Sequence, residues 1–464
     1  MIVMKFGGTS VQDAAAIRSV IHIVQNKLSK RPALVVSALA GATNHLLESA
    51  RLAVAGQKHN AEAILKKLHE RHSGLSAELI KPIAEREKVE TFLKTTFDKL
   101  QSLVDGVSLL GELTDRSLDM FAAQGELLSS TIIASAFREA GVDALWLDIR
   151  EVMITDDQFT AAAPDTNLLK NHSARLIKPA LEKGKLIVTQ GFIGNTKDGI
   201  TTTLGRGGSD YTAALLGAAL DANDIEIWTD VDGVLTSDPK MVHEAKRVKI
   251  MTFQEASELA YFGAKVLHPA TITPAVERNI PVHVFNTKNP VSSGTLITAK
   301  HDRTLEGVNN CVIKSIAYKK NITILNIAST RMLLAHGFLY SIFEVFKRLK
   351  ISVDVISTTE VSVSLTIDFS DKLDEAVHEL KRFAQVTVEQ ERAIVCLVGE
   401  QMRYTPGIAA RTFNAIRDVN INMISQGASE INLTFVIAQS DVDTVVKRLH
   451  DEFFSGPLPS AIFE

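Results

Sequence analysis

The first 29 residues, MIVMKFGGTSVQDAAAIRSVIHIVQNKLS (1–29), predict a strand, a glycine turn and a helix in succession. Residues 2–6 are a short, mostly apolar run. After the turn, apolar residues recur at Ile17, Val20 and Val24, which is the spacing of one face of a helix. A strand that passes through a tight turn into a helix is the repeating unit of α/β proteins, so this stretch predicts an α/β fold.

Strand-like and helix-like segments continue to alternate up to about residue 290. Several candidate strands are continuous apolar runs, which is typical of parallel strands buried on both faces. The candidates are Ile2–Phe6, Ala33–Ser37, Leu186–Gln190, Ile225–Thr229 and Val282–Asn286. We therefore predict one α/β domain over 1–290 with a mostly parallel sheet, and functional loops at the carboxyl ends of its strands.

The last part of the chain contains a repeat. GFLYSIF begins at Gly337 and GIAARTF at Gly407, and an alternating strand follows Glu360 in one copy and Glu430 in the other, so both offsets are 70 residues (407 − 337 and 430 − 360). Each copy has the β-α-β-β-α-β order of a ferredoxin-like unit. We predict a linker at 291–312, then domains at 313–390 and 391–464. They would be paired binding or regulatory modules, or else a duplicated structural or dimerisation unit.

Composition and charge limit the classes of partner and of site that the chain can have. The 464 residues carry 50 Lys and Arg against 54 Asp and Glu, so net charge gives no reason to expect nucleic acid or an anionic membrane as a partner. Two cysteines, Cys311 and Cys396, are too few for a disulfide framework or a cysteine-rich metal site. We find no secretory leader and no apolar run long enough to span a bilayer, and expect a cytoplasmic protein.

The turn after the first strand is a candidate phosphate site. Gly7 and Gly8 allow a close approach of the backbone to a ligand, a helix amino terminus favours an anion, and Lys5 adds a positive charge. The lysine precedes the glycines, so the stretch is not a P-loop. The alternative is a tight β-to-α turn with a solvated lysine.

The stretch TTTLGRGGSDYTAALLG (201–217) is the most informative one. Arg206 lies among three glycines, where its planar guanidinium can bind a carboxylate or phosphate through two hydrogen bonds. Ser209 and Asp210 then begin a helix. The alternative is a turn with a solvated arginine.

Four further stretches carry candidate site residues, each with a structural alternative. Thr229 and Asp230 end a strand in IWTDVDGVLTSDPK (227–240), and Lys265 follows a glycine in YFGAKVLHPAT (261–271). VVSALAGATNHL (35–46) supplies Ser37 and Thr43 after the second strand. In QGELLSS (124–130), Glu126 lies beside an apolar helix face, where it either holds an amine or faces water.

Together, KFGGTS, VVSALAGATN, QGE, TTTLGRGGSDYTA, WTDVDGVLTSDPK and FGAKVLHPAT, followed by the two repeats, closely resemble aspartate kinase. The likeness covers essentially the whole chain. It implies an αβα sandwich of the amino-acid-kinase type, two ACT domains, and no homoserine dehydrogenase half. It also implies transfer of the ATP γ-phosphoryl group to the β-carboxylate of L-aspartate, with Mg²⁺ carried by ATP and no metal site of the protein. That step begins aspartate-family (lysine, threonine and methionine) biosynthesis.

The resemblance also implies roles for individual residues. Lys5 and Lys265 would stabilise the transferring phosphoryl group, and Asp210 would orient them. An aspartate carboxylate is already ionised at neutral pH, so no general base is needed. The implied ATP-binding residues are Lys5, Phe6, Gly7, Gly8, Thr229, Asp230, Leu235, Lys240, Lys265 and Val266. The implied aspartate-binding residues are Ser37, Thr43, Glu126, Arg206, Gly207 and Ser209.

The repeats look most like the lysine-inhibited branch of the family, with threonine as the other possible effector. Asp354 would pair with the effector's ε-ammonium group, in a pocket completed by Met332, Gly337, Phe338, Leu339, Val353, Thr359 and Glu360. Paired ACT domains imply a homodimer or larger assembly. The chain departs from the family pattern at Gln124, Leu235, Lys240 and Ala335.

Two other functions remain open from the sequence. One is another amino-acid kinase, acting on glutamate, acetylglutamate or a nucleotide, against which the repeats and Glu126 argue. The other is a catalytically silent amino-acid sensor that uses the repeats alone, against which the two lysines and Asp210 argue.

Overall fold

The computed structural model describes residues 1–263, 269–299, 312–329 and 337–464. The described chain forms two compact units. Unit 1 comprises Met1–Gly233 and Leu267–Lys300, and unit 2 comprises Val234–Val266 and His301–Glu464. The glycine-rich motifs therefore belong to unit 1 and the two repeats to unit 2.

Unit 1 is built on a mostly parallel sheet. Within the described residues its strands are β1 (Ile2–Phe6), β2 (Pro32–Val36), β3 (Ala144–Leu147), β5 (Leu186–Gln190), β8 (Asp224–Thr229), β10 (Val282–Asn286) and β11 (Thr295–Thr298). Their order is β3-β5-β2-β1-β8-β10-β11, and neighbours are parallel except β10 with β11. β1, β2 and β5 are buried along their whole length, as their continuous apolar runs predicted.

Helices pack on this sheet, and unit 1 also contains a second, smaller sheet. The smaller sheet has β4 (Ile154–Thr155), β6 (Ile193–Thr196) and β7 (Thr201–Thr203) in that order. The helices of unit 1 are α1 (Ala14–Gln25), α2 (Ala42–Val54), α3 (Lys58–Leu79), α4 (Ile83–Leu110), α5 (Asp115–Glu139), α6 (Thr166–Leu176), α7 (Lys178–Glu182), α8 (Gly208–Ala219) and α10 (Pro269–Glu277). Residues of α1 to α5 form one apolar core with Met4 and Phe6 of β1.

The first helix begins later than the glycine turn suggests. A 3₁₀ turn, Gly8–Val11, follows the glycines, and α1 starts only after Asp13, whose carboxylate accepts the backbone N–H of Ala16 at 2.9 Å. The hydroxyl of Ser10, in the 3₁₀ turn, lies 2.6 Å from the hydroxyl of Thr287 and does not cap the helix. The glycine turn thus leads into a 3₁₀ turn, and the aspartate caps the α-helix.

Unit 2 contains one antiparallel sheet made by both repeats. Its strands are β12 (Ile313–Ala328), β13 (Val353–Thr358), β14 (Ser362–Ile367), β15 (Gln385–Gly399), β16 (Ile421–Gln426) and β17 (Asn432–Ala438), in the order β13-β14-β12-β15-β17-β16. The unit also holds β9 (Ile250–Thr252), α9 (Phe253–Tyr261), α11 (Phe338–Leu349), α12 (Leu373–Leu380), α13 (Ile408–Ala415) and α14 (Val442–Phe454). α9 lies against β12 and β15.

The two longest strands are shared between the repeats. Residues 323–328 of β12 pair with both β14 and β15, whereas residues 313–319 pair with the part of β15 that also pairs with β17. The first residues of the domain predicted at 313–390 therefore supply a strand beside the second repeat. The predicted domain limits did not anticipate that β12 pairs along both repeats, or that residues 234–266 belong to unit 2. Those limits stay a prediction.

Candidate active site

A cavity of about 590 Å³ lies at the carboxyl ends of β1 and β2, beside the start of α8. Ten residues with predicted roles line it: Lys5, Gly7, Gly8, Ser37, Thr43, Glu126, Arg206, Gly207, Ser209 and Asp210. Loops that follow neighbouring parallel strands meet at one edge of a sheet, which is why residues distant in sequence converge here. The structure brings these ten together, and their roles stay predictions.

Lys5 and Asp210 form an ion pair in the cavity wall. Their Nζ and Oδ1 atoms lie 2.6 Å apart, and the side chains are 11% and 16% exposed. Side chains alternate along a strand, so Lys5 lies on the face of β1 opposite Met4 and Phe6, and α8 contacts β1. Asp210 is in the first turn of α8, where a carboxylate is favoured by the helix dipole. The pair therefore fixes the direction of the lysine ammonium.

At Gly8 the glycine turn is packed too closely for a larger residue. A Cβ atom on Gly8 would lie 2.9 Å from the carbonyl oxygen of Ala38, and one on Gly7 would lie 3.7 Å from Nζ of Lys5. The amide of Ala40 donates to the carbonyl of Gly8 at 3.2 Å, which joins the loop after β2 to the loop after β1. The two loops thus hold each other in place beside the lysine ammonium.

Glu126 is a buried carboxylate that lines the cavity on α5. Burial raises the pKa of its carboxyl to about 8, against the opposing effect of the backbone N–H groups of Ala38 and Glu126. Its Oε2 atom has no hydrogen-bond partner among the described residues. The sequence leaves open whether Glu126 faces water; in the structure the residue is buried, at 4% exposure. An ammonium group placed at Oε2 would supply the missing partner and favour the ionised form.

Residues 204–208, which we call the arginine loop, connect β7 to α8. Gly205 and Gly207 have φ of 77° and 74°, values that favour glycine. Between them Arg206 is exposed at the cavity, and no described residue forms a hydrogen bond or ion pair with its guanidinium. The loop therefore presents a free guanidinium to the cavity that Glu126 also lines.

The smaller polar residues of the cavity lie on tightly packed backbone. The hydroxyl of Ser129 donates to the carbonyl of Ser37 at 2.8 Å, which fixes the loop after β2. Thr43 lies in the first turn of α2. A Cβ atom on Gly191 would lie 2.6 Å from Cβ of Ser209, so α8 can start here only beside a glycine. These contacts leave little freedom in the walls of the cavity.

The predicted nucleotide residues are not all brought together. Thr229 and Asp230 line a second cavity of unit 1, of about 230 Å³, with residues of α1 and the segment after β10. The side chain of Phe6 is buried against Trp228, with ring centroids 5.7 Å apart, so only its backbone can meet a ligand. Leu235 and Lys240 belong to unit 2. Lys265 and Val266 lie outside the described residues.

In unit 2, the predicted effector residue Asp354 already has two partners. Its side chain is 2% exposed, accepts the hydroxyl of Tyr261 at 2.6 Å on Oδ1, and pairs with Nζ of Lys319 at 3.0 Å on Oδ2. Burial lowers the pKa of Lys319, but its hydrogen bonds to Asp368 and Asp354 outweigh burial and raise it overall. Asp354 is thus satisfied within the chain, which the sequence did not predict.

The other described effector residues of the prediction lie at the start of α11, on β13 and in the turn that follows β13. Gly337, with φ of 86°, precedes α11, which begins at Phe338 and Leu339. Val353 begins β13. The Thr359 hydroxyl accepts the amide of Ser362 at 3.1 Å in the turn between β13 and β14, next to Glu360. Met332 lies outside the described residues.

Sequence reasoning missed several cavity residues, and Asp119 is the buried carboxylate among them. Its carboxylate lines the cavity and accepts hydrogen bonds from the backbone amides of Thr160 and Thr203 and from the Thr203 hydroxyl. Burial raises its pKa, and these hydrogen bonds oppose that rise. Asp119 precedes Glu126 by seven residues, two helical turns on the same side of α5, and that spacing was the available signal.

No described helix combines the length and apolar character needed to cross a membrane. Within the described part of the chain, no cluster of three or more His, Cys, Asp or Glu could hold a metal ion.

Sequence comparisons identify the family of this chain. A sequence model of the amino acid kinase family matches residues 1–286, and one of the ACT domain matches residues 395–453. Lysine-sensitive aspartokinase 3 of Escherichia coli is 39% identical over 464 residues, which cover 98% of this chain and 99% of that protein. Aspartokinase 1 of Arabidopsis thaliana chloroplasts is 38% identical over 481 residues, which cover 100% of this chain and 82% of that protein.

Solved structures of aspartate kinases are similar to this chain over nearly its whole length. The crystal structure of E. coli aspartokinase III with aspartate and ADP has a TM-score of 0.84 at 39% identity, covering 98% of this chain and all of that one. Clostridium acetobutylicum aspartate kinase has a TM-score of 0.80 at 27% identity, covering 98% of this chain and all of that one. The chain combines the domain of the amino acid kinase family with an ACT domain. Within that class, the chain belongs to the aspartokinase family. The fold class and resemblance predicted from the sequence are confirmed.

Proposed function

We propose that the unit 1 cavity binds L-aspartate and phosphorylates its β-carboxylate with ATP, and that lysine inhibits the enzyme by binding at Asp354. The observation that carries the first part is a pair of unpartnered groups in one cavity: the Glu126 carboxyl, which can ionise to receive an ammonium group, and the Arg206 guanidinium. A dicarboxylic amino acid offers an ammonium group to the first and a carboxylate to the second. Ser37, Thr43 and Ser209 supply hydrogen bonds around it.

Catalysis in this proposal is positioning and charge stabilisation. The substrate carboxylate is ionised and needs no base to act as nucleophile. Lys5, held by Asp210 at 2.6 Å, places its ammonium beside the glycine turn, where the γ-phosphoryl oxygens would lie. ATP brings Mg²⁺ on its phosphates, which would neutralise part of the developing charge. The proposal assigns no protein ligand to that ion.

The regulatory part of the proposal is an exchange of ammonium groups. The ε-ammonium of a bound lysine would take the place of the Lys319 ammonium on Asp354, which is 3.0 Å from it. Tyr261, the last residue of α9, donates to the same carboxylate, so the exchange would also alter a contact of that helix. This is a shift between two states that differ in the partners of one carboxylate.

We also propose a homodimer or larger assembly through the unit 2 sheet. Its strands carry exposed apolar side chains, among them Ile356, Val388 and Ile424, which are 42%, 38% and 48% exposed. Apolar side chains on a sheet are typical of surfaces that meet a partner. Light scattering on the pure protein tests this, and a monomer at all concentrations would contradict it.

The test of the activity is ATP-dependent formation of aspartyl phosphate, trapped with hydroxylamine, on a panel of aspartate, glutamate and N-acetylglutamate. We expect product from aspartate alone, with less product when lysine is added. Product from another acid but not from aspartate would identify a different amino-acid kinase. A folded protein that forms no acyl phosphate from any acid would contradict the proposal.

A further inference from the structure

Asp119 lies in the substrate cavity without any role in the function proposed above. It is 1% exposed and no described cation pairs with it. Its Oδ2 atom accepts the amides of Thr160 at 3.0 Å and Thr203 at 2.9 Å, and its Oδ1 atom accepts the Thr203 hydroxyl at 2.6 Å. Three donors from two separate segments thus converge on one carboxylate.

Those two segments are the ones that hold the arginine loop. Thr203 ends β7, three residues before Arg206. Thr160 has a φ of 68°, which a threonine rarely adopts, and its carbonyl oxygen lies 3.1 Å from where a Cβ of Gly205 would be. The amide of Ala162 also donates to the carbonyl of Thr203 at 2.9 Å. The carboxylate therefore joins the Thr160 turn to the base of the arginine loop and stabilises both.

The same helix carries the other end of the substrate site. Asp119 and Glu126 are seven residues apart on α5, which is buried along most of its length. Two turns of a rigid helix thus separate Asp119, which binds the base of the arginine loop, from Glu126, which would receive the substrate ammonium. Asp119 and Glu126 thus lie on one element that contacts both ends of the substrate site.

We propose that Asp119 is a positioning residue that sets the distance from Arg206 to Glu126, and so the length of amino-acid substrate that the cavity accepts. The inference rests on the proposed function. A carboxylate suits this position because its two oxygens accept three donors at once. A small misplacement of a group that orients the substrate weakens binding and catalysis, and a loosened loop would also accept a substrate one methylene longer.

The test is steady-state kinetics of the full-length enzyme, with aspartate and glutamate as acceptors, for the wild type, Asp119→Ala and Asp119→Asn. In Asp119→Ala we expect KM for aspartate to rise at least tenfold, KM for ATP to change less than threefold, and the preference for aspartate over glutamate to fall at least tenfold. Asp119→Asn should stay within threefold of the wild type, because its oxygen keeps both amides and its NH₂ can donate to the Thr203 hydroxyl.

Two further variants keep the test decisive. If Asp119→Ala does not fold, Thr203→Val removes only the hydroxyl donor and should raise KM for aspartate by a smaller factor, again without changing KM for ATP. The matched control is Asp165→Ala. Asp165 accepts the amides of Asn167 and Leu168 at the start of α6, which contributes no described residue to the cavity lining, so both KM values should stay unchanged.

Other outcomes overturn the inference. Equal rises in both KM values, an unchanged preference for aspartate, or an Asp119→Asn enzyme as impaired as Asp119→Ala would each exclude a positioning role. A wild type that forms no aspartyl phosphate would remove the proposed function together with the inference. A wild type that is active, with folded variants that keep its KM values and preference, would remove the inference alone.

Discussion

Glu126 in unit 1 and Asp354 in unit 2 are both buried carboxylates that we propose receive an ammonium group, yet their surroundings differ. Glu126 has an oxygen without a partner among the described residues, in an open cavity. Asp354 has both oxygens occupied, by Tyr261 and Lys319. The catalytic site is therefore prepared for its ligand, whereas the regulatory site must give up an internal partner to bind one.

This difference has an energetic consequence. An unpaired buried carboxylate is costly, which is why burial raises the pKa of Glu126 to about 8. Aspartate would relieve that cost, and the gain contributes to binding. At Asp354 a bound lysine would replace one ammonium with another, so much of the interaction energy cancels. We expect effector affinity to depend on the internal partner.

The largest effect is expected at the ion pair of the cavity. Lys5→Ala should lower kcat at least about 10²–10³-fold, because a positioned positive charge on the transferring phosphoryl group is lost. Asp210→Ala should lower it as well, since the lysine loses its orientation. Circular dichroism should show both proteins folded. Lys185→Ala is the matched control, because Lys185 pairs at the surface with Asp143 and should leave kcat unchanged. Near-normal kcat in a folded Lys5→Ala enzyme would refute the assignment.

Glu126→Gln should lower kcat/KM for aspartate about 100-fold, because a charged partner of the substrate ammonium becomes neutral. KM for ATP should not change.

The folded protein keeps a proton on Glu126 between about pH 4.5 and 8 that the unfolded chain lacks, so this residue reduces the free energy of unfolding as pH rises through that range. At pH 8 the variant should unfold at a higher temperature than the wild type. Lower thermal stability together with normal kinetics would reverse our interpretation of this residue.

The pH dependence of kcat/KM for aspartate should also report the ionisation of Glu126. Below the pKa of about 8, the fraction of ionised Glu126 changes about tenfold per pH unit, so kcat/KM for aspartate should rise steeply from pH 6 and level off above pH 8. The rise should be absent in Glu126→Gln. A wild-type profile that is flat between pH 6 and 8 would show that Glu126 is ionised before aspartate binds.

The smallest effects are expected in unit 2. Asp354→Ala should remove inhibition by lysine, measured as the ratio of rates with and without it. Lys319→Met keeps the apolar length of the side chain but frees one oxygen of Asp354, so half-inhibition should need several-fold less lysine. Lys320→Met is its neighbour and control, since Lys320 pairs instead with Asp443. Weaker inhibition in Lys319→Met would mean that Lys319 helps to bind the effector rather than competing with it.

Much of the fold and part of the site followed from local sequence. The limits of β1, β5 and β10 agree with the apolar runs, since burial on both faces imposes that pattern. Arg206 among its glycines and Asp210 at a helix start were recognisable because backbone geometry alone requires those residue types. These are constraints that act within a few residues of the chain.

What the sequence did not reveal depends on long-range packing. Lys319 and Asp354 are 35 residues apart, and nothing in either neighbourhood indicates which lysine reaches that carboxylate. The division of β12 between the two repeats is likewise set by pairing with β15, not by local pattern. Asp119 resembles a solvated residue of the first helical turns until the fold places Thr160 and Thr203 against it.

The most direct test of the account is the number of protons released when aspartate binds, measured by isothermal titration calorimetry at pH 7 in two buffers of different ionisation enthalpy. With a pKa of about 8 in the free protein, Glu126 must lose its proton to pair with the substrate ammonium. The account predicts release of close to one proton per aspartate bound by the wild type, and none by Glu126→Gln. Binding of aspartate to the wild type without proton release, or with equal release in both proteins, would contradict it.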